Sequence, residues 1–430
     1  MFTIVKNKKK IINNFIGVLF LQLLIFCNYY FWIFESFQIL IIPIICMIFI
    51  TFFYLIFNTF RENKLLSALI VILTILTLGS PSFHWDARSI WLFNAKKLFY
   101  DENLSFIINN YGETYINIYP MLGPALASSI AKLFGFWNEV FPKLFNIILA
   151  TPPLIYLNFF LKNKISKFFF IFFILLIFEK SLIIGEMDGL LALYFVSSAI
   201  IAFQLFYNDN NFLFDKKLAV LINNNFFYIF SFLNFTFLTL LKKEGIIYLF
   251  LIFVSCYLSK IILSKKIILY KKNVTIFLLS ALSILFWNYF LNFYGLNLNI
   301  HPGTALLQNE NFIKLFLLKI LQIKNFFLIS EAIFLNKTFV ISIIFFTFFA
   351  SYFFIETKNI KKNFNNILLV FLILTTLYLG FVFFVYLITT WDLLWHLNTS
   401  AQRVILPLAF LLSYFSLIIV QAGLPKLFAK

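Results

Sequence analysis

Apolar runs broken by short polar stretches recur along the whole chain. Twelve are long enough to matter: about 13–34, 38–58, 65–80, 139–161, 168–184, 188–206, 220–241, 246–263, 274–294, 338–355, 367–388 and 404–422. A spanning helix needs about 20 mostly apolar residues. Lipid also requires every backbone group to be satisfied internally, so helices or closed barrels are the only options. No alternating strand pattern supports a barrel. The pattern predicts an all-α polytopic membrane protein of about twelve transmembrane helices. The N-terminus, "MFTIVKNKKK", resembles a signal sequence, but it lacks a small-x-small cleavage site and its apolar run is long enough to span. It reads as a retained first span.

The segment "YPMLGPALASSIAKLFGF" (119–136) is ambiguous. It is apolar enough to span, yet it carries Pro120, Pro124 and Lys132, and its small residues Ala125, Ser128 and Ser129 cluster on one side. Cytoplasmic loops carry an excess of Lys and Arg, which lets the charges arbitrate. If 119–136 lies on the surface, most cations fall on one side with both termini, in loops 6–10, 61–64, 162–167, 216–217, 260–272, 358–362 and 426–430. If it spans, the asymmetry reverses. The surface reading is therefore expected, with a cytoplasmic N- and C-terminus and an outer loop over 81–138.

Composition agrees with the pattern. Of 430 residues, 62% are hydrophobic and 12% charged, whereas soluble domains are nearer half apolar and a quarter charged. The abundance of Phe, Ile, Lys and Asn also fits an AT-rich genome. A net charge of +17 could suggest nucleic acid, but the lysines are spread among short loops and form no basic domain. Cys27, Cys46 and Cys256 all lie in apolar runs and form no metal-ligand spacing.

On this topology the inner loops hold only Glu62, Asp209, Asp215 and Glu356 of the 17 acids. The outer face collects the unusual polar residues. "FHWDARSIWLFNAKKLF" (83–99), read as a helix, sets Asp86, Ser89, Lys96 and Lys97 against an apolar side of Ala87, Ile90, Trp91, Ala95 and Leu98. An interfacial helix with aromatic anchors would look the same. A carboxylate with cations such as Arg88 and Lys96 is also what a lipid-phosphate substrate requires: cations hold the phosphate, and the carboxylate takes a proton from an incoming hydroxyl.

Three more stretches add to this rim. "GEMDGLLALYF" (185–195) places Glu186 and Asp188 at the start of a span, where they could share a divalent ion, orient a hydroxyl, or simply cap the helix. "LLKKEGIIYLF" (240–250) is a short outer turn; it needs its glycine, but not Lys242, Lys243 and Glu244, and these lysines run against the positive-inside trend. "TTWDLLWHLNTSAQRVILP" (389–407) brings Asp392, His396 and Arg403 ahead of the last span, although a lone His is more often satisfied on a surface and a lone Arg more often snorkels. His301, in "NIHPGTALLQNENF", belongs to the same face.

In order and side, "WDARSIWLFNAKKLF", "YPMLGPAL", "GFWNEVFPK", "GEMDGLLAL", "LKKEGI" and "WHLNTSAQRV" resemble the GT-C membrane glycosyltransferases. Within them the chain is most similar to bacterial proteins of the lipid-A aminoarabinose transferase, protein mannosyltransferase and rhizobial lipopolysaccharide transferase type. The resemblance covers roughly residues 65–407. It implies a GT-C-like unit over 65–430, preceded by two extra transmembrane helices in 1–64. It implies transfer of a sugar, often with inversion, from a polyprenyl-phosphate donor to a glycolipid, polysaccharide or protein acceptor on the periplasmic face of a bacterial inner membrane. Asp86 then matches the catalytic base. Glu186 and Asp188 match a second acidic position that in some members binds a divalent metal such as Mg or Mn. Lys242, Lys243 and Arg403 match cations near the donor phosphate. Segments 84–99 and 119–136 match juxtamembrane helices. Many relatives have paired acids in the first loop, whereas Asp86 is followed by Ala87-Arg88. A lipid-linked sugar flippase and a polysaccharide polymerase are the alternative readings. A flippase would be expected to place polar groups near the midplane.

Overall fold

The computed structural model describes residues 2–81, 84–102, 119–161, 163–178, 180–207, 225–265, 271–293, 312–356, 362–389 and 391–423. Among these the chain is helical, with no strand. A helix lies at each of the twelve apolar runs: α1 (Phe2–Ile33), α2 (Ile41–Glu62), α3 (Lys64–Gly79), α6 (Leu144–Phe159), α7 (Lys164–Phe178), α8 (Asp188–Tyr207), α9 (Asn225–Leu241), α10 (Glu244–Ser264), α11 (Lys271–Phe293), α14 (Lys337–Glu356), α15 (Lys362–Leu387) and α16 (Leu393–Gly423). Between them come α4 (Leu92–Asp101), α5 (Leu122–Phe134), α12 (Phe312–Leu321) and α13 (Ile323–Phe334). Seven helices are long and apolar enough to cross a membrane, or eight if the bent pair α13–α14 is one span. At 15 to 17 residues, α3, α6, α7 and α9 fall short of about 20. The protein is a polytopic helical membrane protein.

Two helices form the centre. The apolar windows of α8 and α16 are 89% buried, against 33–61% for the other five. α8 packs on α6, α9, α10 and α16, and α16 packs on α7, α13, α14 and α15. The N-terminal hairpin α1–α2 is packed in as well, with α1 against α5, α6 and α9.

The helix of segment 119–136, α5, has 13 residues and is too short to span, in line with the surface reading, but it is covered by protein. Every residue from Leu122 to Ala131 is buried. Its small side chains let neighbours approach closely. The Ser129 hydroxyl accepts from Trp32 Nε1 at 2.8 Å and donates to Asn28 Oδ1 at 2.7 Å, tying α5 to α1. Lys132, at the end of α5, lies over the Trp32 ring at 4.8 Å.

At mid-depth the bundle is joined by uncharged polar side chains. Asn234 of α9 donates to Ser198 at 2.8 Å and to Ser197 at 3.1 Å on α8. Tyr194 donates to the Leu149 carbonyl of α6 at 3.0 Å. The Gln22 side chain of α1 faces the Tyr194 hydroxyl, although neither of its polar atoms has a full hydrogen-bond partner among the described residues. Such interhelical bonds add specificity where lipid supplies no hydrophobic drive.

Candidate functional site

Six of the side chains expected from the sequence meet at one end of the bundle. Asp86 lies in the first turn of a helical stretch that starts at Trp85 and runs through a π-helical turn (Ala87–Trp91) into α4. The buried Ala87, Ile90, Trp91, Ala95 and Leu98 pack inward, as the helical pattern predicts, and α4 rests on α5. Asp86 Oδ2 accepts from Nη1 of Arg403, which stands on α16. The Arg403 guanidinium also donates to the Thr399 carbonyl one turn earlier, at 3.3 Å.

Glu186 and Asp188 come in from the turn before α8. Gly185 has φ +94°, a left-handed conformation that glycine adopts without a Cβ penalty, and its Cα faces the Ala87 methyl group. That turn brings Glu186 beside the start of the Asp86 helix. The Glu186 carboxylate meets His84 Nδ1. Asp188 Oδ1 accepts from Lys242 Nζ at 2.7 Å. This pair joins the N-terminus of α8 to the C-terminus of α9, so each charge also complements its helix dipole. Glu244 follows two residues after Lys242, in the first turn of α10. The glycine of this turn is needed for close approach: a Cβ on Gly245 would lie 1.8 Å from the Leu238 carbonyl oxygen.

Within the cluster, Glu186 is the carboxyl pushed toward protonation. Four carboxylates face the two permanent cations Lys242 and Arg403. Glu186 is buried; burial first and the Asp188 charge second push its carboxyl up to about 8, with Arg403 and Lys242 opposing. It therefore holds a proton near neutral pH. For Lys242, burial disfavours the charge, but Asp188 and then Glu244 outweigh it and raise the ammonium above its ordinary value. Burial of the Tyr119 phenol, followed by the nearby Glu244 charge, raises it as well.

Four buried polar atoms of this cluster have no hydrogen-bond partner among the described residues: Asp188 Oδ2, Glu244 Oε2, Arg403 Nε and Trp91 Nε1. Buried polar groups are normally paired. Two acceptors and two donors side by side suit a ligand that carries hydroxyls together with acceptor oxygens.

The other expected residues stand apart. Arg88 and Lys96 are exposed, and no hydrogen bond or ion pair among the described residues joins them to the cluster. Lys243 is half-buried, and burial lowers its pKa against the opposing Glu244 charge. His396 sits between the rings of Tyr386 and Trp391, each at 5.0 Å, two turns ahead of Arg403. Asp392 caps α16, accepting from Trp395 N–H at 2.8 Å. His301 lies outside the described residues.

Sequence reasoning missed four participants. His84 and Trp91 were in the quoted stretch, but nothing in it set them apart as contacts; the Trp91 ring lies 5.3 Å from that of Tyr119, tilted by 59°, and 6.0 Å from the Lys242 ammonium. Tyr119 is brought in only by tertiary folding. Lys143, buried between α5 and α6, donates to the Ser80 carbonyl that ends α3, and Ser80 Oγ in turn donates to the Ile183 carbonyl at 3.1 Å. That chain of contacts braces the turn that carries Glu186.

A divalent ion does not suit these residues. Asp188 is committed to Lys242, and among the described residues no group of three His, Cys, Asp or Glu side chains is placed to hold a metal. Comparisons with protein families, with curated proteins and with solved structures give no match to this chain.

Proposed function

We propose that the chain is a GT-C-type membrane glycosyltransferase of twelve crossing helices. It moves a sugar from a polyprenyl-phosphate donor to a hydroxyl of a glycolipid, polysaccharide or protein on the periplasmic face. The reading is supported above all by the meeting of Asp86, Glu186, Asp188, Lys242, Glu244 and Arg403, drawn from four separate stretches of sequence, at one end of the bundle.

Such a transfer needs a base for the acceptor hydroxyl and charge compensation for the departing phosphate. Asp86 is the base and Arg403 the principal phosphate ligand, since guanidinium binds phosphate oxygens in a bidentate fork. In the resting protein the two hold each other. Donor phosphate competes for Arg403 and releases Asp86. The acceptor oxygen then bonds to the anomeric carbon while its proton passes to Asp86. The bond from that carbon to the phosphate oxygen breaks, and its electron pair leaves with the polyprenyl phosphate beside Arg403 and Lys242. Protonated Glu186 donates a hydrogen bond to the sugar, and Glu244 and the free oxygen of Asp188 accept from sugar hydroxyls.

The test is sugar transfer by purified protein in lipid vesicles, using a panel of polyprenyl-phosphate sugars with and without chelator. Transfer or donor hydrolysis that survives chelation is expected. Movement of lipid-linked sugar across the bilayer with no turnover of any donor would replace this reading with a flippase.

A further inference from the structure

α13 (Ile323–Phe334) meets α14 (Lys337–Glu356) at a bend of 70°. The twenty residues of α14 suffice to cross the hydrocarbon at about 1.5 Å per residue, so the crossing does not need α13. We propose that α13 is a membrane-docking helix lying in the plane of the bilayer surface, its partner the boundary between lipid headgroups and acyl chains.

The faces of α13 divide three ways. Ile323, Phe327 and Phe334, spaced i, i+4 and i+11, share one side and are 70%, 70% and 44% exposed. Lys324 and Glu331, spaced i and i+7, are both exposed on the adjoining side. Ile329 and Ile333 are buried against the protein, beside Phe326, whose ring stacks on Phe383 of α15 at 5.9 Å. A helix bathed in water would not expose three large apolar side chains in a row. One crossing the hydrocarbon would not leave Glu331, two turns in from the start, facing outward with Lys324 on the same side. The division matches a helix at the interface, with one side in the acyl region, one in water and one on the protein.

The bend and the docking are built into the chain. Asn336 at the bend accepts from the Thr338 hydroxyl at 2.6 Å and the Thr338 N–H at 3.1 Å, capping α14. At the other end, Asn325 donates to the Lys319 carbonyl at 3.1 Å and to Gln322 Oε1 at 3.0 Å, fixing the joint between α12 and α13. Lys319 Nζ donates to the Thr389 carbonyl, just ahead of the helix that carries Arg403. The docking helix therefore links the bilayer surface to the rim of the charged cluster. This inference does not depend on what the cluster does.

Nitroxide labels at Phe327→Cys, Ile323→Cys and Lys324→Cys would test it. They would be placed in the full chain with Cys27, Cys46 and Cys256 replaced by Ala, in phosphatidylethanolamine–phosphatidylglycerol vesicles. The ratio of collisions with oxygen to collisions with a water-soluble nickel chelate should be several-fold higher at 323 and 327 than at 324. Free access of the chelate to 323 and 327 would place the helix in water. Shielding of all three positions from the chelate would make it part of a broken span. Either result overturns the proposal.

Discussion

Two kinds of buried polarity share one helix. At the N-terminus of α8, Asp188 is locked to Lys242 within a cluster of charges. Roughly 14 Å further along, at about 1.5 Å per residue, Ser197 and Ser198 bind Asn234 in a network with no charge. The difference follows from what each depth permits. A buried charge is tolerable where an opposite charge and a helix terminus meet it. Mid-membrane positions are left to amides and hydroxyls, which can be satisfied one bond at a time. Among the described residues, the carboxylates and cations of this cluster gather at one end of the bundle, while hydroxyls and an amide join α8 and α9 further along. A carrier would be expected to place charges near the midplane.

Four stability measurements sharpen this contrast. The largest effect is expected for Lys242→Met, which strands Asp188 among buried neighbours and should cost about 3–5 kcal/mol. The double variant with Asp188→Asn should recover much of that loss in thermal unfolding. Equal losses in the single and double variants would mean the pair is not coupled.

Next comes Glu186. Its folded pKa of about 8 lies above the ordinary value of 4.5, so the folded state holds a proton that the unfolded state releases. The stability it contributes is fully present below about 4.5 and is lost as pH rises through 8. Between pH 6 and 9 the wild type should lose Tm more steeply than Glu186→Gln; parallel slopes would remove Glu186 as the titrating group. In the uncharged network the effects should be smaller. Asn234→Leu is expected to cost about 1 kcal/mol, the scale of an interhelical hydrogen bond in a membrane. Gln22→Leu, which removes an amide with no full hydrogen-bond partner among the described residues, should fall within about 0.5 kcal/mol of wild type.

The sequence was informative where apolar runs and charge order carry the signal. Every apolar run became a helix, because a run of that length has few other ways to satisfy its backbone. Asp86, Glu186, Asp188, Lys242, Glu244 and Arg403 stood out because charges at the ends of apolar runs are costly, and the structure gathers all six. Arg88 and Lys96 were read from the same stretch as Asp86, but a helix turns neighbours to different sides, and these two point outward. The burial of α5 was not legible because it depends on α1, α2, α4 and α6 closing around it, which no local pattern reveals. Tyr119 and Lys143 enter the site for the same reason: their partners are distant in sequence.

The role proposed for Asp86 is tested most directly by separating binding from turnover in Asp86→Asn, reconstituted in lipid vesicles beside wild type. The variant should bind polyprenyl phosphate at least as tightly, because Arg403 is no longer held, while sugar transfer falls by about 10²–10⁴-fold, the scale of a lost general base. Turnover within tenfold of wild type, or loss of binding together with turnover, would contradict it.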